Sequence, residues 1–216
     1  MNYKKMIKRI ENDGSVPPGI DFNNLPEIND EAIAFLQMAG RKGWLPEDFN
    51  QWNLSTRDGW TVAHSAAKNR GFKFPDSFTQ WDLAQESSYT TVAHIAVRSH
   101  PLPKSFTQWH LADCFGWTIA HVAASRGYLP DDFNQWNLAD DNGWMVVQEA
   151  LKFKQLPEDF NQWDLACLNE MKLFEYAVFR GWLPKWFNDW NLVITDDGET
   201  CREIYGQREK EFLERR

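Results

Sequence analysis

The feature that most constrains this chain is a six-residue motif, Phe-x-x-Trp-x-Leu, which occurs six times. Its tryptophans are separated by 29, 28, 27, 27 and 27 residues, and they are Trp52, Trp81, Trp109, Trp136, Trp163 and Trp190. A fixed period in this range is typical of repeat arrays, in which each unit buries its apolar face against the next. The period therefore predicts a repeat solenoid for most of the 216 residues.

A second segment recurs between the copies of the motif and is clearest as GWTVAHSAAKNRG (59–71), YTTVAHIAVRSH (89–100) and GWTIAHVAASRG (116–127). Small apolar residues in it recur at i, i+1, i+4 and i+5, as in Val62, Ala63, Ala66 and Ala67. That spacing places them on one face of a helix. Thr61 is the predicted N-cap of this helix and Gly71 the predicted C-cap.

Most copies of the Trp motif are preceded by Leu-Pro and an acidic or small polar residue, as in residues 45–48. Proline suits the first turn of a helix, and acidic side chains there interact favourably with the helix dipole. Residues typical of turns follow soon after, as in Asp140–Gly143. We therefore predict that a brief second helix begins at each Leu-Pro.

The segment Asp58-Gly59-Trp60-Thr61-Val62-Ala63-His64-Ser65-Ala66-Ala67 resembles the ankyrin-repeat pattern D-x-x-G-x-T-P-L-H-x-A-A, with Val-Ala replacing Pro-Leu. The resemblance covers roughly residues 31–205. It implies an all-α, helix-turn-helix repeat solenoid of about six short repeats with helical end caps. Ankyrin repeats are about 33 residues long, so a period of 27 to 29 residues predicts a truncated second helix.

Three parts are predicted along the chain. A basic helix and connector occupy residues 1–30, the ankyrin-like array residues 31–205, and a charged C-terminal cap residues 206–216. No run of 18 apolar residues and no signal-peptide pattern occurs, so we expect no contact with a membrane and a cytoplasmic location. The cysteines form no CxxC pair, which predicts neither a disulfide framework nor a zinc site.

Negative charge is concentrated in the array. The chain carries −8 overall, but residues 1–12 have four basic residues against one acidic, and 202–216 have five against four. The remaining 14 basic and 26 acidic residues give the middle a net charge of −12. Such a surface repels nucleic-acid phosphates and favours a protein partner with a basic surface. Solubility alone explains the charge equally well.

Three histidines occupy the same position in successive repeats: His64, His94 and His121. Packed helices lie about 8–10 Å apart, whereas metal ligands lie about 2.0–2.1 Å from a zinc ion. Equivalent positions therefore cannot share one ion, and we predict no metal and no cofactor. The ankyrin resemblance implies instead that each histidine hydrogen-bonds the loop backbone of the neighbouring repeat.

The six tryptophans of the repeated motif could form either a ligand-stacking ladder or a core. Their identical spacing in every repeat favours packing between repeats. A platform that binds nucleic acid would need interleaved Lys and Arg, but Asp, Asn and Gln flank these rings. We therefore predict core packing and no nucleic-acid partner.

Candidate partner-binding residues come from two positions of the repeat. Trp60, Trp117 and Trp144 follow the glycine of each turn, beside Phe115 and Asp141. The ankyrin resemblance implies that this position lies near the tip of the turn between repeats, and either function or packing explains the three tryptophans. The position after the histidine holds Ser65, Ile95, Val122, Glu149 and Tyr176. If the ankyrin resemblance holds, that position lines the concave surface. Ile95 and Val122 would then form an apolar patch, which often marks a partner site.

No motif of an established enzyme class is present: the sequence lacks G-x-S-x-G, a P-loop, H-E-x-x-H and G-x-G-x-x-G. We therefore predict a non-enzymatic module that binds a protein and inhibits or neutralises it, as an inhibitor, immunity protein or antitoxin does. The alternative is an adaptor or host-directed effector that bridges two proteins, and an enzyme is the third possibility. The sequence leaves the oligomeric state open.

Overall fold

The computed structural model describes residues 2–13, 16, 19–167, 171–191, 194 and 197–214, with the backbone alone at 13 and 208–214. All regular structure in these ranges is helical, which confirms the all-α prediction. The helices are α1 (Tyr3–Asp13), α2 (Asp30–Lys42), α3 (Val62–Ala67), α4 (Val92–Ala96), α5 (Ile119–Arg126), α6 (Val146–Lys152), α7 (Leu173–Arg180) and α8 (Cys201–Glu214). Pro17 and Pro18 of the predicted connector lie outside the described residues. None of the described helices is long and apolar enough to cross a membrane.

The chain divides into two compact units, Met1–Cys114 and Phe115–Arg216. In the first unit, α1 packs against α2. Tyr3 and Ile10 on α1 are each 1% exposed, and the ring of Tyr3 lies 6.0 Å from that of Phe35 on α2. The rings of Phe22 and Phe35 stack at 5.7 Å. The predicted N-terminal basic helix is therefore anchored by its apolar side.

The short helices of the repeats are capped by the preceding loop. At the start of α3, the N–H of Val62 donates to the carbonyl of Leu54 at 2.9 Å, and that of Ala63 to Trp52 at 3.1 Å. The N–H of His64 donates to Oγ1 of Thr61 at 3.2 Å. These groups would otherwise be unpaired at a helix start, so tertiary contacts stabilise a helix of only six residues.

The predicted N-cap of α3 is confirmed, but the predicted C-cap is wrong. Thr61 has an extended backbone, and its side chain accepts the N–H of His64. The helix ends at Ala67, and Lys68 is the C-cap. Left-handed glycines end three other helices: Gly43 follows α2, Gly127 follows α5 and Gly181 follows α7, with φ of 74°, 70° and 66°.

The predicted second helix is absent from the described residues that follow each Leu-Pro. After Leu-Pro the chain makes one turn, in which the N–H of Phe49 donates to the carbonyl of Pro46 at 3.1 Å. The same turn recurs at Phe78, Phe106, Phe133, Phe160 and Phe187. A helix cannot continue through the motif, because the carbonyls of Trp52 and Leu54 accept N–H groups of α3 instead of groups in their own segment.

A tight turn joins the first motif to α3. In residues 56–60, the N–H of Thr56 donates to the carbonyl of Trp60 at 3.1 Å, and the N–H of Gly59 donates back to Thr56 at 3.0 Å. Gly59 has φ of +76°, and a Cβ on it would lie 2.9 Å from the backbone nitrogen of Glu86. Neighbouring turns of the first unit therefore approach each other closely, and the N–H of Glu86 donates to the carbonyl of Asp58 at 3.4 Å.

Candidate binding surfaces

The histidine of the repeat links its own helix to the next turn. Thr61 donates its N–H to Nδ1 of His64 at 3.1 Å, and the Thr61 hydroxyl lies 2.7 Å from the same nitrogen. Because Nδ1 accepts, the proton is on Nε2, which donates to the carbonyl of Thr90 at 3.1 Å. Burial lowers the pKa of His64, which keeps the ring neutral.

The same link is present in the second unit, where Nε2 of His121 donates to the carbonyl of Trp144 at 2.8 Å. The predicted bond to the neighbouring loop is thus confirmed for His64 and His121. These histidines hydrogen-bond backbone groups of their own N-cap and of the next turn. Among the residues that the structure describes, no group of three or more His, Cys, Asp or Glu could hold a metal ion.

Other residues at the histidine position keep one part of its role. Oε1 of Gln148 accepts the N–H of Met145 at 2.9 Å, and Oε2 of Glu175 accepts the N–H of Lys172 at 2.8 Å. The position therefore requires an acceptor that faces the N-cap. Nε2 of Gln148 is buried and has no hydrogen-bond partner in the described part of the chain. Gln148 therefore lacks the hydrogen bond to the next turn that Nε2 of His64 and His121 makes.

The repeated Phe and Trp form an aromatic core. Trp52, Trp81, Trp109 and Trp136 are buried, at 4–7% exposure, which confirms the core prediction for these four. Trp163 and Trp190 are half-buried. Each ring meets the Phe of its own motif edge-on. Trp52, Trp81, Trp136 and Trp163 also meet the Phe of the following motif, as in Trp52–Phe78 at 5.5 Å. Aromatic edge contacts therefore join consecutive repeats within each unit.

The predicted turn tryptophans are half-buried, because each covers its own helix. The ring of Trp60 lies 4.9 Å from that of His64, and Trp117 stacks on His121 at 4.5 Å. The Trp60 indole N–H donates to Oγ of Ser65 at 2.8 Å. These rings pack and remain partly accessible, so both explanations of them stand.

The position after the histidine is less accessible than predicted. Ser65, Ile95, Val122 and Glu149 are buried, at 0–7% exposure, and only Tyr176 is half-buried. The predicted exposed apolar patch is therefore wrong, since Ile95 and Val122 are each buried. One reason is that the turn tryptophan folds back over this position: the indole N–H of Trp144 donates to Oε2 of Glu149 at 3.0 Å. A partner contact at these residues stays a prediction.

Among the residues whose burial is described, the most exposed aromatic rings lie at the tips of the turns. In the second unit Phe115 is 70% exposed, and its carbonyl accepts the N–H of exposed Asp141 at 3.3 Å. In the first unit Tyr89 is 60% exposed. We define the first tip as Asp58, Glu86 and Tyr89, and the second tip as Phe115 and Asp141.

Tyr89 was missed from the sequence although a signal for it exists. Counted back from the N-cap threonine, Tyr89 occupies the position of Gly59 and Gly116. Its φ is +52°, in the left-handed region where those glycines have +76° and +72°. Left-handed backbone is unfavourable for a residue with a Cβ. Alignment of the turns would have identified Tyr89 as a bulky residue in a glycine position.

We expect Tyr89→Gly to raise the free energy of unfolding by about 1 kcal/mol, because relief of left-handed strain exceeds the extra entropy of glycine in the unfolded chain. Tyr89→Ala is the matched control, since it removes the ring and keeps the strained Cβ. Urea unfolding measures both. If the glycine variant is no more stable than the alanine variant, the left-handed backbone at Tyr89 does not destabilise the fold.

The chemistry that these surfaces offer is hydrogen bonding, ion pairing and aromatic contact. Burial raises the pKa of the Cys167 thiol to about 11, and burial also raises that of Cys201 to about 11. Both thiols are therefore protonated and weakly nucleophilic near neutral pH. Comparison with known proteins assigns no relative: no family model matches the chain, and no curated protein matches it.

Proposed function

We propose that the protein is an ankyrin-like repeat module that binds a protein partner through its turn tips and thereby inhibits or neutralises it. The observation that carries the proposal is the exposure of Tyr89 and Phe115, which are 60% and 70% accessible. Each shares its tip with exposed carboxylates. Aromatic residues are enriched among interface residues that dominate affinity, and carboxylates around them favour a basic partner.

Three contacts that recur between consecutive repeats support the array. The histidine donates to the carbonyl of the next turn, neighbouring turns share a backbone hydrogen bond, and motif tryptophans of both units meet the next phenylalanine, as in Trp52–Phe78 and Trp136–Phe160. Contacts restricted to neighbours are the basis of repeat architectures. The proposed array is an ankyrin variant in which a turn replaces the second helix.

Backbone strain at Tyr89 supports a role at the tip. A glycine would satisfy the left-handed geometry there, as Gly59 and Gly116 do in equivalent turns. Strained residues persist where their side chains are used. The carboxylate of Asp58 in the same tip accepts a hydrogen bond from the Thr56 hydroxyl, which lowers the pKa of Asp58 and favours its charged form.

Affinity capture with Tyr89→Gly, and with a Phe115→Ala/Asp141→Lys double variant, tests the tips. We expect a captured partner to bind each variant roughly 30-fold more weakly, as when an interface residue worth about 2 kcal/mol is lost. Lys104→Ala, an exposed change in another loop, is the control. Since Tyr89→Gly is expected to be more stable than the wild type, unfolding cannot explain its loss of binding.

The purified complex then tests inhibition. A stoichiometric complex should suppress the partner's activity, and the suppression should weaken in parallel with binding for both tip variants. A partner that keeps full activity when saturated would contradict neutralisation. Equal capture by wild type and tip variants would contradict the tips as the binding site.

An adaptor that bridges two proteins is the second candidate, because α1 presents exposed Lys5 and Lys8 on a second surface. Deleting this helix would uncover the face of α2 that Tyr3 and Ile10 bury. A Lys5→Glu/Lys8→Glu variant is therefore the cleaner test. For an adaptor, wild type would capture two partners, and charge reversal would release one of them.

A further inference from the structure

A cavity of about 300 Å³ lies within the second unit, in residues that the proposed partner site does not use. Its wall brings together three separate segments: the end of α6, the loop after α7 and the first turns of α8. The residues that matter for the inference are Lys154, Trp182, Pro184, Lys185, Trp186 and Tyr205. Its volume is at the small end of the range for ligand sites, which start at about 300 Å³.

Lys154 contributes to this wall from a strained backbone position. Its φ is +58°, and it occupies the place where equivalent repeats carry the left-handed Gly127 and Gly181. Glycine would fit that geometry without strain. As with Tyr89, a residue with a Cβ stands where the fold favours glycine, and here that residue lines a cavity.

The charge of the wall is opposite to that of the chain. Lys154 and Lys185 both line the cavity, and no carboxylate is among its described lining residues. The whole protein has a net charge of −8. Two basic residues in the wall of a small concave site favour an anion, and the surrounding indoles and proline favour an apolar, planar body.

The aromatic part of the wall is supported from behind. The ring of Trp182 lies 5.9 Å from that of Tyr176, and the ring of Trp186 lies 5.8 Å from that of Trp163. The Tyr205 hydroxyl donates to the carbonyl of Leu183 at 3.4 Å, which ties α8 to the loop. Rings held in this way lose little freedom when a ligand binds, and preorganisation increases affinity.

We propose that this cavity binds a small aromatic carboxylate, with its ring against Trp182 and Trp186 and its carboxylate between Lys154 and Lys185. The binding step is non-covalent and independent of the turn tips. A cavity of about 300 Å³ suits a ligand of one or two rings, because its volume is at the small end of the range for ligand sites.

Calorimetric titration with 1-naphthoate tests the proposal, with the uncharged 1-naphthalenemethanol as the matched probe. We expect the acid to bind at least about fivefold more tightly, since each exposed ion pair contributes roughly two- to fivefold. The advantage should shrink at high salt. Equal affinity for the acid and the alcohol, or no binding of the acid, would overturn the proposal.

Lysine variants locate the site. Lys185→Ala and Lys154→Gly should each weaken 1-naphthoate binding about two- to fivefold. Lys154→Gly should also raise Tm by about 2–4 °C through relief of strain, so that weaker binding cannot be ascribed to unfolding. If neither variant weakens 1-naphthoate binding, the assignment of the ligand to this cavity is overturned.

Two controls match these changes position by position. Lys104 follows Leu-Pro in its repeat as Lys185 does. Tyr89→Gly relieves the strain at the other described residue that has positive φ and is not glycine. Lys104→Ala and Tyr89→Gly should leave 1-naphthoate affinity unchanged. If they weaken it as much as the cavity variants do, the effect is one of general charge or stability and the proposal fails.

Discussion

Replacing Trp52 with alanine is expected to lower the free energy of unfolding by about 3–5 kcal/mol. The ring is 4% exposed and meets Phe49 edge-on at 4.7 Å. It also lies 5.3 Å from Phe74 and 5.5 Å from Phe78 in the next repeat. Truncation therefore opens a cavity where two repeats join, and urea unfolding at constant temperature measures the loss.

Phe115→Ala is the control for this change, because it also removes an aromatic ring. That ring is 70% exposed, and substitutions at exposed positions usually alter stability by less than about 0.5 kcal/mol. Trp52→Phe should lie between the two, since a smaller ring retains part of the packing. A Trp52→Ala variant that loses no more stability than Phe115→Ala would contradict the core role of the repeated tryptophan.

Much of the fold could be predicted because its signals are local or periodic. The spacing of the tryptophans predicted their packing, and Thr61 preceding Val62 predicted the start of α3. The second helix could not be excluded in this way, because Leu-Pro followed by acidic residues is a genuine helix-start signal. Whether a helix continues after Leu-Pro depends on which N–H groups bond to the carbonyls of Trp52 and Leu54. In the structure those N–H groups belong to α3.

Site residues were predicted with mixed success for a related reason. Comparison of the repeats shows which positions vary. It identified Phe115 and Asp141, whose backbones are joined by a hydrogen bond in the structure. It does not show which varying positions are covered. Ser65 and Glu149 are buried because an indole from the preceding turn bonds to each of them, and that depends on how the turn folds back.

Departures from the repeat are more informative about function than the repeat itself. Tyr89 and Lys154 are the two described residues other than glycine with positive φ, and both occupy positions where other repeats have glycine. We expect glycine at each position to make the fold more stable. Tyr89 presents an exposed ring, and Lys154 lines a cavity. Aligning the repeats and noting where a residue other than glycine has positive φ therefore identifies candidate functional residues.

His64→Ala is expected to lower the free energy of unfolding by about 2–6 kcal/mol, because it leaves the Thr61 N–H and the Thr90 carbonyl without their partner, at about 1–3 kcal/mol for each group. His64→Gln should cost less. Its amide oxygen can accept the N-cap N–H, as Gln148 does for Met145. A glutamine variant as unstable as the alanine variant would show that the bond to Thr90 alone matters.

The pH dependence of these variants separates hydrogen bonding from simple packing. Burial lowers the pKa of His64 below its ordinary 6.5, so the unfolded chain takes up a proton at a higher pH than the folded one. Stability that is fully present above pH 6.5 is therefore lost as the pH falls through 6.5 towards the folded-state pKa. Glutamine does not titrate and removes this contribution. Urea midpoints at pH 7.5 and pH 5 should fall less for His64→Gln than for the wild type, and equal falls would mean that His64 is not held neutral by the fold.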